Sequence, residues 1–142
     1  MNFLSSQSKL FAGLLCLALV TVEYGGYFLL SILNGTIPEY SAASPQFPFF
    51  RAGHAHAGVW VVILGLAAQP LIDAARVSDR IKLLMRILFF ASPVLISGGF
   101  FAGALTMADG RPGALYWLIY AGLATLAIAL VLLGINLIRE RG

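Results

Sequence analysis

Four long apolar stretches, separated by short polar segments, organise the chain. They cover about residues 10–33, 50–72, 83–105 and 114–138. Each approaches or exceeds the roughly 20 residues that a helix needs to cross the hydrocarbon core of a bilayer. Between them lie a segment from Asn34 to Phe50 with Pro38, Pro45 and Pro48, a basic segment from Asp73 to Arg86, and the turn Ala108 to Gly113. Gly, Pro, Asn and Asp punctuate helices in this way. The pattern predicts an all-α, integral membrane four-helix bundle with a single domain over residues 1–142. The second helix is expected to start at Pro48 or Ala52 and to end at Ile72. Gln69-Pro70 and Ser92-Pro93 mark expected kinks.

Composition narrows the class. The 142 residues are 60% hydrophobic and only 11% charged, whereas a soluble domain carries roughly 25% charged residues. The partner that such a surface requires is the lipid bilayer. Net charge is +3, but its placement argues against nucleic acid as a partner. Lys9, Arg76, Arg80, Lys82, Arg86, Arg139 and Arg141 fall at alternate ends of the apolar runs, and only Arg51 and Arg111 fall at the others. Positive residues concentrate on the cytoplasmic side. The expectation is therefore a multi-pass protein of a bacterial inner (plasma) membrane, N-in and C-in.

Few residues within the runs carry chemistry. Glu23 lies near the middle of the first run, where a charge costs on the order of 2.5–3.5 kcal/mol on insertion scales. Cys16, Gly26 and Tyr27 share its helical stripe, which points Glu23 toward the bundle interior. There it serves either as a ligand, proton carrier or counter-charge, or as a neutral carboxyl that fixes packing. Cys16, the single cysteine, reads as a small apolar core residue.

His54 and His56, the only histidines, stand two residues apart. On an α-helix that spacing separates them by about 200° of rotation, so they face nearly opposite ways and cannot share one metal. His54 shares a face with Gly58, Val61, Gly65 and Ala68, a small-residue face suited to close packing. His56 shares a bulkier face with Val59, Trp60, Ile63 and Ala67. Two readings stand side by side: an interfacial pair that hydrogen-bonds the first loop, and ligands for haem or a transition metal. Arg51, about one turn earlier, either anchors the helix at the headgroups or pairs an anionic group such as a propionate.

The stretch Phe50-Arg51-Ala52-Gly53-His54-Ala55-His56-Ala57-Gly58 resembles the signature of small bacterial four-helix integral membrane proteins. More distantly, Gly53-His54-Ala55-His56 is similar to the H-x-H helix of haem-copper oxidase subunit I. That second resemblance implies that each histidine ligates a different haem. This chain has no third histidine, so a second axial ligand falls to Met85, Met107, water or another subunit, and oxidase activity does not carry over.

No G-x-S-x-G, C-x-x-C, H-E-x-x-H or phosphate-cradling loop is present. The expectation is a protein that is not an enzyme by itself. Its polar site, in the outer half of the bundle, consists of Glu23, His54 and His56 as metal-ligand candidates, with His54, His56 and Arg51 for a cofactor. The site binds haem, a metal ion or a quinone-like redox partner, within a homo-oligomer or a larger respiratory-type membrane complex. The alternative is a non-catalytic structural or accessory subunit of such a complex.

Overall fold

The computed structural model describes residues 4–139, with backbone alone at positions 57 and 59–61. Among the described residues there are five helices and no strands, only an isolated bridge between Ala108 and Arg111. Helix α1 spans Ser6–Leu33 and α2 spans Phe47–Ala52. A π-helical segment, Gly53–Val61, follows α2 directly and runs straight into α3, Val62–Ala74. Helix α4 spans Asp79–Leu105, and a short 3₁₀ turn, Ala114–Trp117, leads into α5, Leu118–Arg139. Three of these helices are long and apolar enough to cross a membrane: α1, α4 and the Ala114–Arg139 helix. Glu140 and Arg141 lie outside the described residues.

Close contacts at glycines give the packing directions. A Cβ on Gly65 would meet the Leu15 side chain at 3.1 Å, and one on Gly58 would meet Val22 at 2.9 Å. The path from α2 to α3 therefore runs antiparallel to α1. It also runs antiparallel to α4, because Gly53 lies against Phe101 and Gly65 against the Phe89 carbonyl. Helices α4 and α5 pair antiparallel through Gly99, whose Cβ would sit 2.7 Å from the Ile119 nitrogen, and through Gly103 against Tyr116. Small residues allow this backbone approach where lipid supplies no hydrophobic drive between helices. Helix α4 is the central element: 39% of its apolar window is buried, against 17% for α1.

Both ends of the molecule are pinned. At the end where α1 finishes, Phe50 is fully buried and packs edge-on against Phe28 and Tyr40, with ring centroids 5.0 and 5.2 Å apart. Tyr40 comes from the first loop, which therefore packs on the bundle through Ile37 and Tyr40 and is not a plain solvated connection.

At the opposite end, where α1 begins, the basic segment is mostly helix rather than loop. Helix α3 runs on to Ala74, and α4 begins at Asp79, with an acid in its first turn that complements the helix dipole. Arg86, expected in a cytoplasmic loop, is instead 1% exposed inside α4. Its guanidinium pairs with Asp73 and donates to Gln7 Oε1 at 3.1 Å and to Ser8 Oγ at 3.0 Å. The Ser5 backbone N–H donates to the other Asp73 oxygen at 2.8 Å. One buried cation thus joins the start of α1, the end of α3 and the start of α4.

Asp73 follows the apolar run and lies at its boundary. Burial pushes its pKa up, but hydrogen bonds from Ser5 and Ser8 and the Arg86 charge outweigh this and hold it below the usual carboxylate value. A depressed carboxylate pKa contributes stability that is complete above the unfolded value, about 3.9, and is lost as pH falls through the folded value. Removing one partner of a buried pair strands the other and costs about 3–5 kcal/mol. Asp73→Ala should therefore markedly lower the thermal unfolding midpoint in detergent at neutral pH. It should also flatten the loss of stability that the parent protein shows below about pH 4.

Candidate functional site

The segment that carries both histidines is π-helical, set between the α-helical turns of α2 and α3. A π-helix bonds i to i+5, is wider than an α-helix, and recurs at functional sites. Gly53 opens this segment and Gly58 lies five residues further along it, and each stands at a close contact with another helix. A Cβ on Gly53 would lie 2.9 Å from the Phe101 ring, and one on Gly58 2.9 Å from Val22. Ser97 of α4 donates to the Gly53 carbonyl at 2.9 Å, a bond that ties the start of the segment to the central helix.

The two histidines part company here. His54 turns toward α1, where Gly25 and Gly26 leave room for its ring. A Cβ on Gly26 would sit 3.1 Å from His54 Cε1, and one on Gly25 3.5 Å from Nδ1. The ring is half-buried, and Nδ1 is enclosed with no hydrogen-bond partner among the described residues. His56 is exposed. Of the residues expected on their two faces, Gly58, Gly65 and Ala68 are buried with His54, while Ile63 and Ala67 are exposed with His56. The side chains of Val59, Trp60 and Val61 lie outside the described residues.

His54 borders a cleft of about 420 Å³ between α1 and α4. Thr21, Tyr24 and Phe28 form the α1 wall, Gly98, Phe101 and Leu105 the α4 wall, and Gly53, His54 and Gly58 the floor. A second cavity of about 240 Å³, reaching Phe90 and Pro93, shares Thr21, Val22, Gly58 and Ser97 with it. The two form one groove from Leu105 to Phe90, about 22 Å long at 1.5 Å per residue. Exposed Thr21 and Tyr24 on its rim show that it opens sideways, where lipid lies once the helices span a bilayer. Near Leu105 the cleft is lined by Phe28 and Phe101, which pack with Phe50.

The other candidates are not brought to this cleft. Glu23 is exposed on α1, and so is Cys16 two turns earlier. Of the expected inward stripe, Cys16, Glu23 and Tyr27 are exposed and Gly26 alone meets another segment, because Leu15 and Val22 take the inner face of α1. Arg51 is exposed with its guanidinium 6.0 Å from the Phe47 ring centre. Met85 is fully buried in the inner core with Ile72 and Phe89, and Met107 does not line the cleft. Among the described residues, no three of His, Cys, Asp and Glu come close enough to hold a metal ion.

Sequence reasoning missed the wall that receives His54. Gly25-Gly26 was visible as a glycine pair, but nothing local told which helix it would meet. Ser97 and Phe101 gave no signal of their own. No protein family, curated protein or solved structure matches the chain, so its chemistry has to be read from this geometry.

Alanine is better than glycine in a helix by up to about 1 kcal/mol, so a glycine-to-alanine change stabilises wherever there is space. Gly53→Ala forces a methyl against two phenylalanine side chains and should destabilise by about 1–3 kcal/mol. Gly13→Ala meets nothing within 4 Å and should be neutral or stabilising. Thermal unfolding of the two variants in the same detergent checks the sign of each.

Proposed function

We propose that the chain is a four-helix membrane bundle in which His54 binds the carbonyl head of a lipid-soluble, quinone-class redox molecule. The continuous α2–π–α3 path carries the apolar run of residues 50–72, and this run serves as the fourth crossing. The seven-to-two split of Lys and Arg supports cytoplasmic termini in a bacterial plasma membrane.

The observation that carries the reading is the His54 ring, which borders the cleft with Nδ1 enclosed and unpartnered. A neutral imidazole has one N–H and one lone pair, and an orphaned buried N–H is rarer than an under-used acceptor. The favoured tautomer keeps the lone pair on Nδ1 and puts the proton on Nε2. The ring then offers a donor, and a quinone carbonyl is an acceptor. The same tautomer works against haem or a metal ion. A ligating histidine gives its lone pair to the metal and donates its other N–H to a carbonyl or carboxylate, and Nδ1 has no such acceptor here.

The lateral opening supports a ligand that arrives through lipid, and the length of the groove supports one with an apolar tail. On this reading the protein acts as a binding component of a redox assembly.

Decylubiquinone serves as the probe. Detergent-purified protein is loaded, passed through gel filtration, and its retained quinone is quantified by chromatography. The parent protein should retain it, and His56→Ala should match the parent. His54→Phe, which keeps a ring but removes the donor, should bind about five- to tenfold more weakly, the worth of one buried hydrogen bond. Equal retention by His54→Phe and the parent would count against the reading. So would a visible Soret band that sharpens on reduction, which would make haem the occupant.

A further inference from the structure

Glu23 and His56 are titratable groups that the cleft does not use, and both are exposed on the outside of the bundle within its apolar zone. Neither has a hydrogen-bond or ion-pair partner among the described residues. An ionisable side chain facing lipid is costly and is ordinarily buried against protein or paired.

Their depths match. His54 rests against Gly25 and Gly26, which fixes the level of the π segment relative to α1. From that contact Glu23 lies two to three residues further inward along α1, about 3–4.5 Å at helical rise. His56 lies two residues further inward along the antiparallel path, about 3 Å. A carboxylate and an imidazole are therefore held at one level of the bilayer, on adjacent helices, each turned outward.

We infer that the chain forms a two-fold dimer in which Glu23 of each copy pairs with His56 of the other. A second copy is the partner that the molecule itself specifies, because it carries the complementary group at the required depth. An isologous two-fold contact makes the pair twice, since residue i meets j and j meets i. Glu23 accepts from the imidazolium, and both charges leave the lipid. Helix α1, the least covered of the long apolar helices, supplies the rest of the contact together with the exposed flank of α3 at Ile63 and Ala67. The cleft at His54 lies on the α4 side of α1 and remains open in the dimer, so this inference and ligand binding stand or fall separately.

Single-molecule photobleaching of labelled protein in phosphatidylcholine liposomes, over a dilution series, reads the dimer fraction. The parent protein should dimerise. Glu23→Gln and His56→Gln should each raise the dimer dissociation constant about tenfold or more, as loss of one partner in a desolvated charge pair does. The exchanged double variant, Glu23→His with His56→Glu, should recover dimerisation. A monomeric parent, single variants that dimerise like the parent, or an exchanged variant that stays as weak as the singles would each overturn the pairing. Recovery in the exchanged variant also shows that the single variants failed for want of charge complementarity rather than of folding.

Discussion

A buried guanidinium sets the conditions for the rest of this structure. Arg86 has almost no contact with solvent, so each of its donors must find an acceptor within the protein. Gln7, Ser8 and Ser5 at the start of α1 and Asp73 at the end of α3 supply them. These groups come from segments 13 to 81 residues distant in sequence, and they meet only if α1, α3 and α4 end at the same level. The constraint acts at the end where α1 begins, and the aromatic knot around Phe50 acts where α1 finishes. Between the two fixed ends, the π segment meets both helices, with Gly58 against Val22 of α1 and Gly53 against Phe101 of α4.

The cleft lies beside these contacts, between α1 and α4. Gly53 and Gly58 let the π segment approach α4 and α1 closely, yet the wider π turn and the half-buried His54 ring occupy the gap only in part. The Ser97 bond to the Gly53 carbonyl keeps the segment in place. Glycine thus acts in two ways in one short stretch: it permits contact at positions 53 and 58, and at Gly25 and Gly26 it makes room for an imidazole. The imidazole in the cleft is enclosed at Nδ1 and stands among hydroxyl groups of Thr21, Tyr24 and Ser97, which suits a hydrogen bond better than a coordination sphere.

Much of the helical content and the apolar spans was legible in the sequence, because run length and proline placement report on them directly. Gly58, Gly65, Gly99 and Gly103 stand at close helix contacts, as small residues in apolar helices tend to. The divergence of His54 from His56 followed from their spacing, although the ladder between them is π rather than α. What the sequence concealed was rotation. Glu23 and Cys16 share a stripe with Gly26, and a stripe alone does not say whether it faces protein or lipid; the contacts of Leu15 and Val22 decide that. Arg86 was hidden for a similar reason. A basic residue beside a charged segment reads as solvated, and only the meeting with Asp73 and the α1 terminus, distant in sequence, turns it inward.

The sideways opening of the cleft changes what affinity means for this protein. An occupant arriving from the bilayer exchanges one apolar surrounding for another, so its tail gains almost nothing over the acyl chains it displaces. Selectivity then falls to the single polar contact, worth about 1 kcal/mol, which favours the right head over a lipid only by about fivefold at equal abundance. Occupancy follows the mole fraction of the ligand in the surrounding leaflet rather than any aqueous concentration. Under the proposed reading, a site of this kind would fill and empty with the composition of its membrane, as a gauge of the pool it samples rather than as a store.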